Sequence, residues 1–133
     1  MQFNHSYWMN EAIKVAKDLQ DEVPVCALIV KENKLISIAT NKVELQNDPT
    51  AHAEVLVIRE AAKVLDNWRL NGCILYVTLE PCSMCMGAII NSKIATVVFG
   101  AYDTNKENQI EVIGGILELE ASKLLKDFFE VRR

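Results

Sequence analysis

Seven consecutive residues, Cys73–Leu79, are nearly all apolar, and a second short apolar run covers residues 95–99. Strands with apolar residues on both faces are typical of a sheet that is covered on both sides. Amphipathic helical patterns alternate with these strand patterns along the chain. We therefore predict a single domain, residues 1–133, of the α/β class, with a central mixed sheet and helices on both faces.

Turn and cap residues set the limits of the predicted elements. Asn4 or Ser6 is expected to cap the first helix, and Asp48 or Thr50 the second, with Pro49 in its opening turn. Residues 42–48 and 103–109 are predicted to be loops. Helices are predicted over residues 7–19, 51–65, 82–92 and 118–131, and strands over residues 25–30, 35–40, 73–79, 95–99 and 110–113.

Composition excludes several classes of protein. Half of the 133 residues are apolar, which excludes a disordered chain, and no apolar run is long enough to span a bilayer. The first ten residues do not have the pattern of a signal peptide, so we expect a cytoplasmic protein without a membrane partner. The net charge of −4 argues against a non-specific nucleic-acid binder and leaves room for a local basic patch.

Four cysteines pose the main question about function. Reducing compartments disfavour disulfides, so these cysteines indicate a metal site, redox chemistry or simple packing. Cys82 and Cys85 form a C-x-x-C pair at the start of a predicted helix, where the free N–H groups are expected to favour the thiolate. His52 also lies at a helix start. Two thiolates and one imidazole leave the fourth position of a tetrahedral zinc ion open, as in catalytic zinc sites.

Glu54 is the candidate proton shuttle, because it follows the histidine by two residues and can reach a zinc-bound water without ligating the metal. Each feature alone has another explanation. A lone C-x-x-C pair can be a redox pair or half of a zinc site, a lone histidine a helix cap, and a lone glutamate a partner of the helix dipole. In this order, H-x-E followed by P-C-x-x-C, they match the signature of the zinc-dependent nucleobase deaminases.

These motifs and their surroundings identify a family. The sequence resembles the bacterial tRNA-specific adenosine deaminases, which belong to the cytidine deaminase-like superfamily, over almost the whole chain. The zinc motifs are shared with guanine and cytosine deaminases, whereas the flanking segments favour the tRNA branch. The matching segments are residues 7–9, 47–54, 75–90, 97–103 and 127–129.

The resemblance implies a three-layer α/β/α fold and one Zn²⁺ per subunit, held by His52, Cys82 and Cys85. It implies that a zinc-activated water attacks C6 of an adenine while Glu54 transfers protons, which converts the wobble adenosine of a tRNA anticodon loop to inosine. It also implies a homodimer. The apolar residues of the helix after Pro81 could form its interface or could equally belong to the core: Met84, Met86, Ile89 and Ile90. The residues expected to contact the substrate are Asn41, Asp103, Phe129 and Arg132.

The sequence also departs from the family pattern. Cys26 stands where the family usually has glycine, and Cys73 is interpreted as a core residue. After Asp103 the chain is shorter than expected by about a loop and a helix. This shortening and the acidic pI favour a second hypothesis, a deaminase of a free base or nucleoside such as guanine or cytosine. A third, a non-catalytic zinc protein, predicts a fourth ligand or the loss of the glutamate, and Glu54 is present.

Overall fold

A computed structural model describes residues 3–103, 111 and 113–131. Of the predicted strand over residues 110–113, Ile110 and Val112 fall outside the described residues, as does most of the preceding loop, and the described Glu111 and Ile113 are not in a strand. The elements are α1 (His5–Lys17), β1 (Cys26–Lys31), β2 (Lys34–Thr40), α2 (Val43–Gln46), α3 (Ala53–Leu65), β3 (Cys73–Leu79), α4 (Ser83–Asn91), β4 (Thr96–Ala101) and α5 (Glu118–Val131).

The described strands form one mixed sheet in the order β2-β1-β3-β4. β1 pairs antiparallel with both β2 and β3, whereas β3 and β4 run parallel. Gly100 in β4 permits the close approach of β4 to β3, because a Cβ there would lie 2.7 Å from the backbone oxygen of Thr78. Because it contains both antiparallel and parallel pairs, the sheet is mixed, as predicted.

Helices cover both faces of this sheet. Along β1, alternate side chains point to opposite faces. Cys26 and Leu28 pack with Trp8 of α1, whereas Ala27 belongs to the cluster that contains Val57 of α3. α4 contributes to the second cluster and contacts α3. The prediction of a three-layer α/β/α fold is confirmed.

The helix caps are only partly as predicted. Asn4 caps α1, where its side-chain oxygen accepts a hydrogen bond from the backbone N–H of Tyr7. The predicted cap of α3 was wrong: His52 is its N-cap residue. Asp48 instead accepts hydrogen bonds of 2.8 Å from both the backbone N–H and the hydroxyl of Thr50, which closes a local turn before the helix begins.

The predicted loop 42–48 contains α2, a helix of four residues. Glu22 accepts hydrogen bonds from the backbone N–H groups of Glu44 (2.7 Å) and Leu45 (3.0 Å) in its first turn. A carboxylate stabilises such a terminus because it satisfies free N–H groups and complements their partial positive charge. Glu22 thereby fixes a segment that the sequence alone had marked as irregular.

α5 has the predicted bounds but buries none of its residues within the described structure. Leu124 is 74% exposed and Phe128 is 49% exposed.

None of the helices in the described part of the chain is long and apolar enough to cross a bilayer.

Candidate metal centre and active site

Two helix starts meet to form the candidate metal centre. His52 is the N-cap residue of α3, and Cys82 is the N-cap residue of α4, with Cys85 in the first turn of that helix. Because α3 and α4 lie on the same face of the sheet and contact each other, their N-termini bring these three side chains together. His52 and Cys82 are 30 residues apart in the sequence, and the tertiary structure brings their side chains together.

The distances between the donor atoms suit zinc. The Nδ1 atom of His52 lies 3.8 Å from the sulfur of Cys82 and 3.5 Å from the sulfur of Cys85. Zinc bonds to nitrogen and sulfur in tetrahedral geometry place neighbouring donor atoms about 3.5 Å apart. Among the described residues, no further histidine, cysteine or acidic side chain joins this group. Three donors at these distances fit a zinc ion whose fourth position is open.

The Cys85 thiol differs from the prediction that a helix N-terminus favours the thiolate. Burial raises the pKa of the Cys85 thiol, and the neighbouring Glu54 carboxylate and Cys82 raise it further. The raised pKa favours the neutral thiol in the metal-free protein. A divalent cation supplies the positive charge that a buried thiolate needs, and its binding releases the thiol proton.

Glu54 lies in the first turn of α3 and is only 4% exposed. Burial raises the pKa of its carboxyl group, and hydrogen bonds from its own backbone N–H and from Cys85, with the charge of His52, partly oppose this shift. A carboxyl group with a raised pKa can accept and return a proton near neutral pH more readily than an exposed one. Its position beside the donor group therefore suits a proton shuttle.

The donor group lies at one side of a cleft of about 390 Å³. Of the four predicted substrate contacts, the structure places Asn41 and Asp103 in the lining of this cleft together with His52 and Glu54. Phe129 does not line the cleft: it lies on exposed α5, edge-on to Phe128 at 5.2 Å between ring centroids. Arg132 lies outside the described residues.

Asn41 connects three segments around the cleft. Its side-chain oxygen accepts a hydrogen bond of 2.8 Å from the backbone N–H of Ala53, at the N-terminus of α3. Its side-chain amide donates to the backbone oxygen of Val23 at 3.3 Å. Asn41 thus holds the first turn of the helix that carries His52 and Glu54, a structural role that the sequence did not predict.

Sequence reasoning missed several acidic residues of the cleft. Glu22, Glu44 and Glu80 line it in addition to Asp103. Glu80 directly precedes the Pro81-Cys82 motif, so the sequence already indicated that Glu80 lies near the site. Its carboxylate accepts a hydrogen bond of 3.0 Å from the backbone N–H of Asp103. Glu22 is distant in sequence from every motif, and no sequence signal could have found it.

The other two cysteines are buried and free. Cys73 belongs to the core, as predicted. Cys26, which stands at the usual glycine position, packs on the α1 face of the sheet, opposite the metal centre. Burial raises the pKa of its thiol to about 11. Neither residue joins the metal-binding group.

The model of the MafB19-like deaminase family matches residues 3–133. The tRNA-specific adenosine deaminase of Bacillus subtilis is 43% identical over 95% of this chain and 89% of its own length. The protein of the same name from Buchnera aphidicola (Schizaphis graminum) is 40% identical over 96% of this chain and 95% of its own length. That alignment spans 144 positions, more than the 133 residues of this chain, so the relative has residues without a counterpart here.

Two solved structures share the fold. One comes from work on A-to-I editing by tRNA:A34 deaminases at the wobble position of transfer RNA, with a TM-score of 0.71 and 42% identity over 74% of this chain and 77% of the other. The other is guanine deaminase from Bacillus subtilis, with a TM-score of 0.79 and 30% identity over 94% of this chain and 95% of the other. The chain belongs to the MafB19-like deaminases and, within them, to the family of tRNA-specific adenosine deaminases.

Proposed function

We propose that residues 1–133 form a single zinc-dependent deaminase domain that converts the wobble adenosine of tRNA to inosine. The observation that carries this proposal is the meeting of His52, Cys82 and Cys85 beside buried Glu54 at one cleft. The tRNA substrate is supported by relatives of 40% and 43% identity that bear the name tRNA-specific adenosine deaminase. One Zn²⁺ per subunit would be held by the two cysteines and the histidine.

Zinc supplies a Lewis acid that makes water a nucleophile at neutral pH. In the overall reaction, water forms the new C6–O bond of the base and the C6–N6 bond breaks, so that ammonia leaves. The Glu54 carboxylate takes one proton from the water and passes it to the ring nitrogen; it then takes the second proton from the new C6 hydroxyl and delivers it to the leaving amino group, so that the C6–N6 bond breaks and a C6 carbonyl remains. This role needs a carboxyl group close to the reacting atoms and shielded from bulk water, and Glu54 is both near the donor group and buried.

The cleft determines what can reach Glu54. An adenosine within a stacked duplex cannot enter, whereas a base of an anticodon loop is unstacked at low cost. Asn41 and Asp103 lie where they can contact the inserted nucleotide. We assign to Asn41 a hydrogen bond to the base with the remaining capacity of its amide, since its existing bonds use one N–H and one lone pair.

A second candidate function is the deamination of a free base such as guanine. The fold is shared with a guanine deaminase at 30% identity, and the acidic residues of the cleft do not attract a polyanion. This candidate predicts turnover of small substrates without RNA.

One assay separates the two functions. Zinc-loaded protein is incubated with an anticodon stem-loop that carries adenosine at the wobble position and, in parallel, with adenosine, guanine and cytosine. We expect inosine only in the RNA, detected by mass spectrometry of the digested nucleosides. Turnover of a free base alone would refute the tRNA assignment and leave the deaminase chemistry intact.

The active form is proposed to be a cytoplasmic homodimer. On α4, Met84 (40%), Met86 (39%) and Ile90 (64%) are exposed, whereas Ile89 is buried in the core and is not available to a partner. Exposed apolar side chains on one short helix are a candidate contact between two copies. Sedimentation equilibrium at micromolar concentration tests the dimer: a monomer at that concentration would contradict it.

A further inference from the structure

A second depression lies between β2 and α3, on the outer side of the helix that carries Glu54. Its volume is about 540 Å³, and its apolar floor includes Ile38 and Leu56. It adjoins the catalytic cleft, because Lys42 lines this depression while its neighbour Asn41 lines the cleft. We call this depression the β2–α3 groove. Its basic residues are Lys42, Arg59 and Lys63.

The β2–α3 groove and the cleft differ in charge. Three basic residues and one acidic residue, Glu60, line the groove, although the chain as a whole has a net charge of −4. The cleft has the opposite character: within the described structure its lining includes several carboxylates and neither lysine nor arginine. A polyanion is therefore repelled at the mouth of the cleft and attracted to the groove beside it.

Lysine and arginine side chains of the groove form few interactions with the described part of the protein. Lys42 donates a weak hydrogen bond of 3.4 Å to the hydroxyl of Thr40. Within residues 3–103, 111 and 113–131, neither Arg59 nor Lys63 forms an ion pair. They are spaced i, i+4 on α3, an arrangement of like charges that slightly disfavours the helix. Hydrogen bonding is the main cause of the lowered pKa of the Asp48 carboxyl group and the charge of Arg59 is the smallest, and Asp48 does not line the groove. The groove charges thus remain available for an external anion.

We propose that the β2–α3 groove binds the phosphate backbone of the tRNA next to the flipped wobble adenosine. The proposal rests on the proposed function, since it concerns the same RNA. Stacking of unpaired bases requires aromatic side chains, and the groove lining has none. Contacts in the groove are therefore made to phosphates, which position the RNA without reading its sequence. The base enters the acidic cleft while the charged backbone stays outside it.

The test compares two variants with the same change in charge. The groove variant is K42Q/R59Q/K63Q. The control variant, K14Q/K17Q/K34Q, changes three basic residues of α1 and β2 that do not line the groove. The dissociation constant of each protein for a fluorescent anticodon stem-loop is measured by anisotropy between about 50 and 300 mM KCl, a range in which phosphate contacts respond to salt. Circular dichroism verifies that the variants fold.

For the groove variant we expect affinity at 100 mM KCl to fall about tenfold or more, and the slope of log K against log salt to flatten by about 2, since each phosphate contact to a single strand contributes about 0.7. The rate at saturating RNA should stay near that of the wild type, so that the loss appears in KM. The single variants R59Q and K63Q should each flatten the slope by about 0.7.

Equal losses in the groove and control variants, or an unchanged salt slope in the groove variant, would overturn the groove and leave the tRNA function standing. If the wild-type protein neither binds nor deaminates the stem-loop, the groove proposal and the proposed function are overturned together.

Discussion

Helices α3 and α5 are nearly equal in length, 13 and 14 residues, and both are amphipathic. They differ in burial: α3 packs its apolar face against the sheet, whereas α5 buries none of its described residues. α3 buries Val57 and Ala61 completely against the sheet and carries the metal centre at its N-terminus. α5 carries larger apolar residues and leaves all of them exposed within the described structure. Amphipathic spacing thus predicts a helix, but the surface that covers its apolar face is supplied by the tertiary structure.

This contrast agrees with the length of the chain. Relatives of 40% and 43% identity have residues without a counterpart here, and the sequence predicts that this difference lies after Asp103, between β4 and α5. The packed part of the molecule, from α1 to β4, contains both the metal centre and most of the cleft. We therefore expect substitutions in this part to affect chemistry and stability, and substitutions in α5 to affect the isolated protein little.

The largest effect is expected at the metal centre. His52→Ala removes one of three donors, so zinc should fall from one per subunit to near zero by plasma mass spectrometry and deamination should fall to background. The matched control is His5→Ala, which changes the other histidine of the chain; His5 contacts the hydroxyl of Tyr76 at 2.6 Å, far from the metal centre. Full zinc content in His52→Ala would refute the ligand assignment.

Glu54→Gln should separate chemistry from metal binding. Because the amide cannot transfer protons, we expect kcat to fall by about 10²–10⁴-fold while the zinc content is unchanged. Glu60→Gln on the exposed side of the same helix is the control, and its kcat at saturating RNA should match the wild type. Full activity in Glu54→Gln would exclude this residue as the proton shuttle.

The two helices can be compared directly by chemical denaturation. Val57→Ala in α3 leaves a small cavity in the core and should lower the free energy of unfolding by about 2 kcal/mol. Leu124→Ala in α5 removes more carbon atoms from an exposed position and should change it by less than about 0.5 kcal/mol. A loss above about 1.5 kcal/mol at Leu124 would show that α5 is covered in solution, by the sheet or by a second copy.

The smallest effect is expected at Glu22, which anchors α2 at the rim of the cleft. Glu22→Gln keeps one acceptor oxygen but loses the charge. We expect the weaker anchoring of α2 to outweigh the reduced repulsion of the RNA, so that KM for RNA rises about threefold with little change in kcat. Glu22→Ala should raise it further. Identical KM values for the wild type and Glu22→Ala would show that the position of α2 does not matter for binding.

Local patterns predicted most of the packed part. Cys73–Leu79 is a central strand because apolar residues on both faces require helices on both sides, and Cys82 and Cys85 are brought together by a single helix turn. The errors have local causes as well. Asp48 accepts a hydrogen bond from the backbone N–H of Thr50 and does not cap α3. The N-cap residue of α3 is His52.

Long-range contacts could not be predicted from the sequence. Glu22 reaches α2 across 22 residues, and no periodicity records such a contact. The exposure of α5 was not predictable either, because its pattern is that of a buried helix. The charge of the groove was only partly predictable: Lys42 and Arg59 were visible as basic residues, but their shared face depends on how β2 and α3 pack.

The two hydrogen bonds of Asn41 restrict how this enzyme can change its substrate. One amide lies in the cleft and also holds the first turn of α3 through Ala53, directly after His52. Under the proposed contact between Asn41 and the base, a substitution of Asn41 that altered the preferred base would also disturb the first turn of α3 and with it the orientation of His52. New specificities are therefore more accessible to evolution, or to a protein engineer, through Val43 and Glu44, which line the same cleft and belong to α2 rather than to α3.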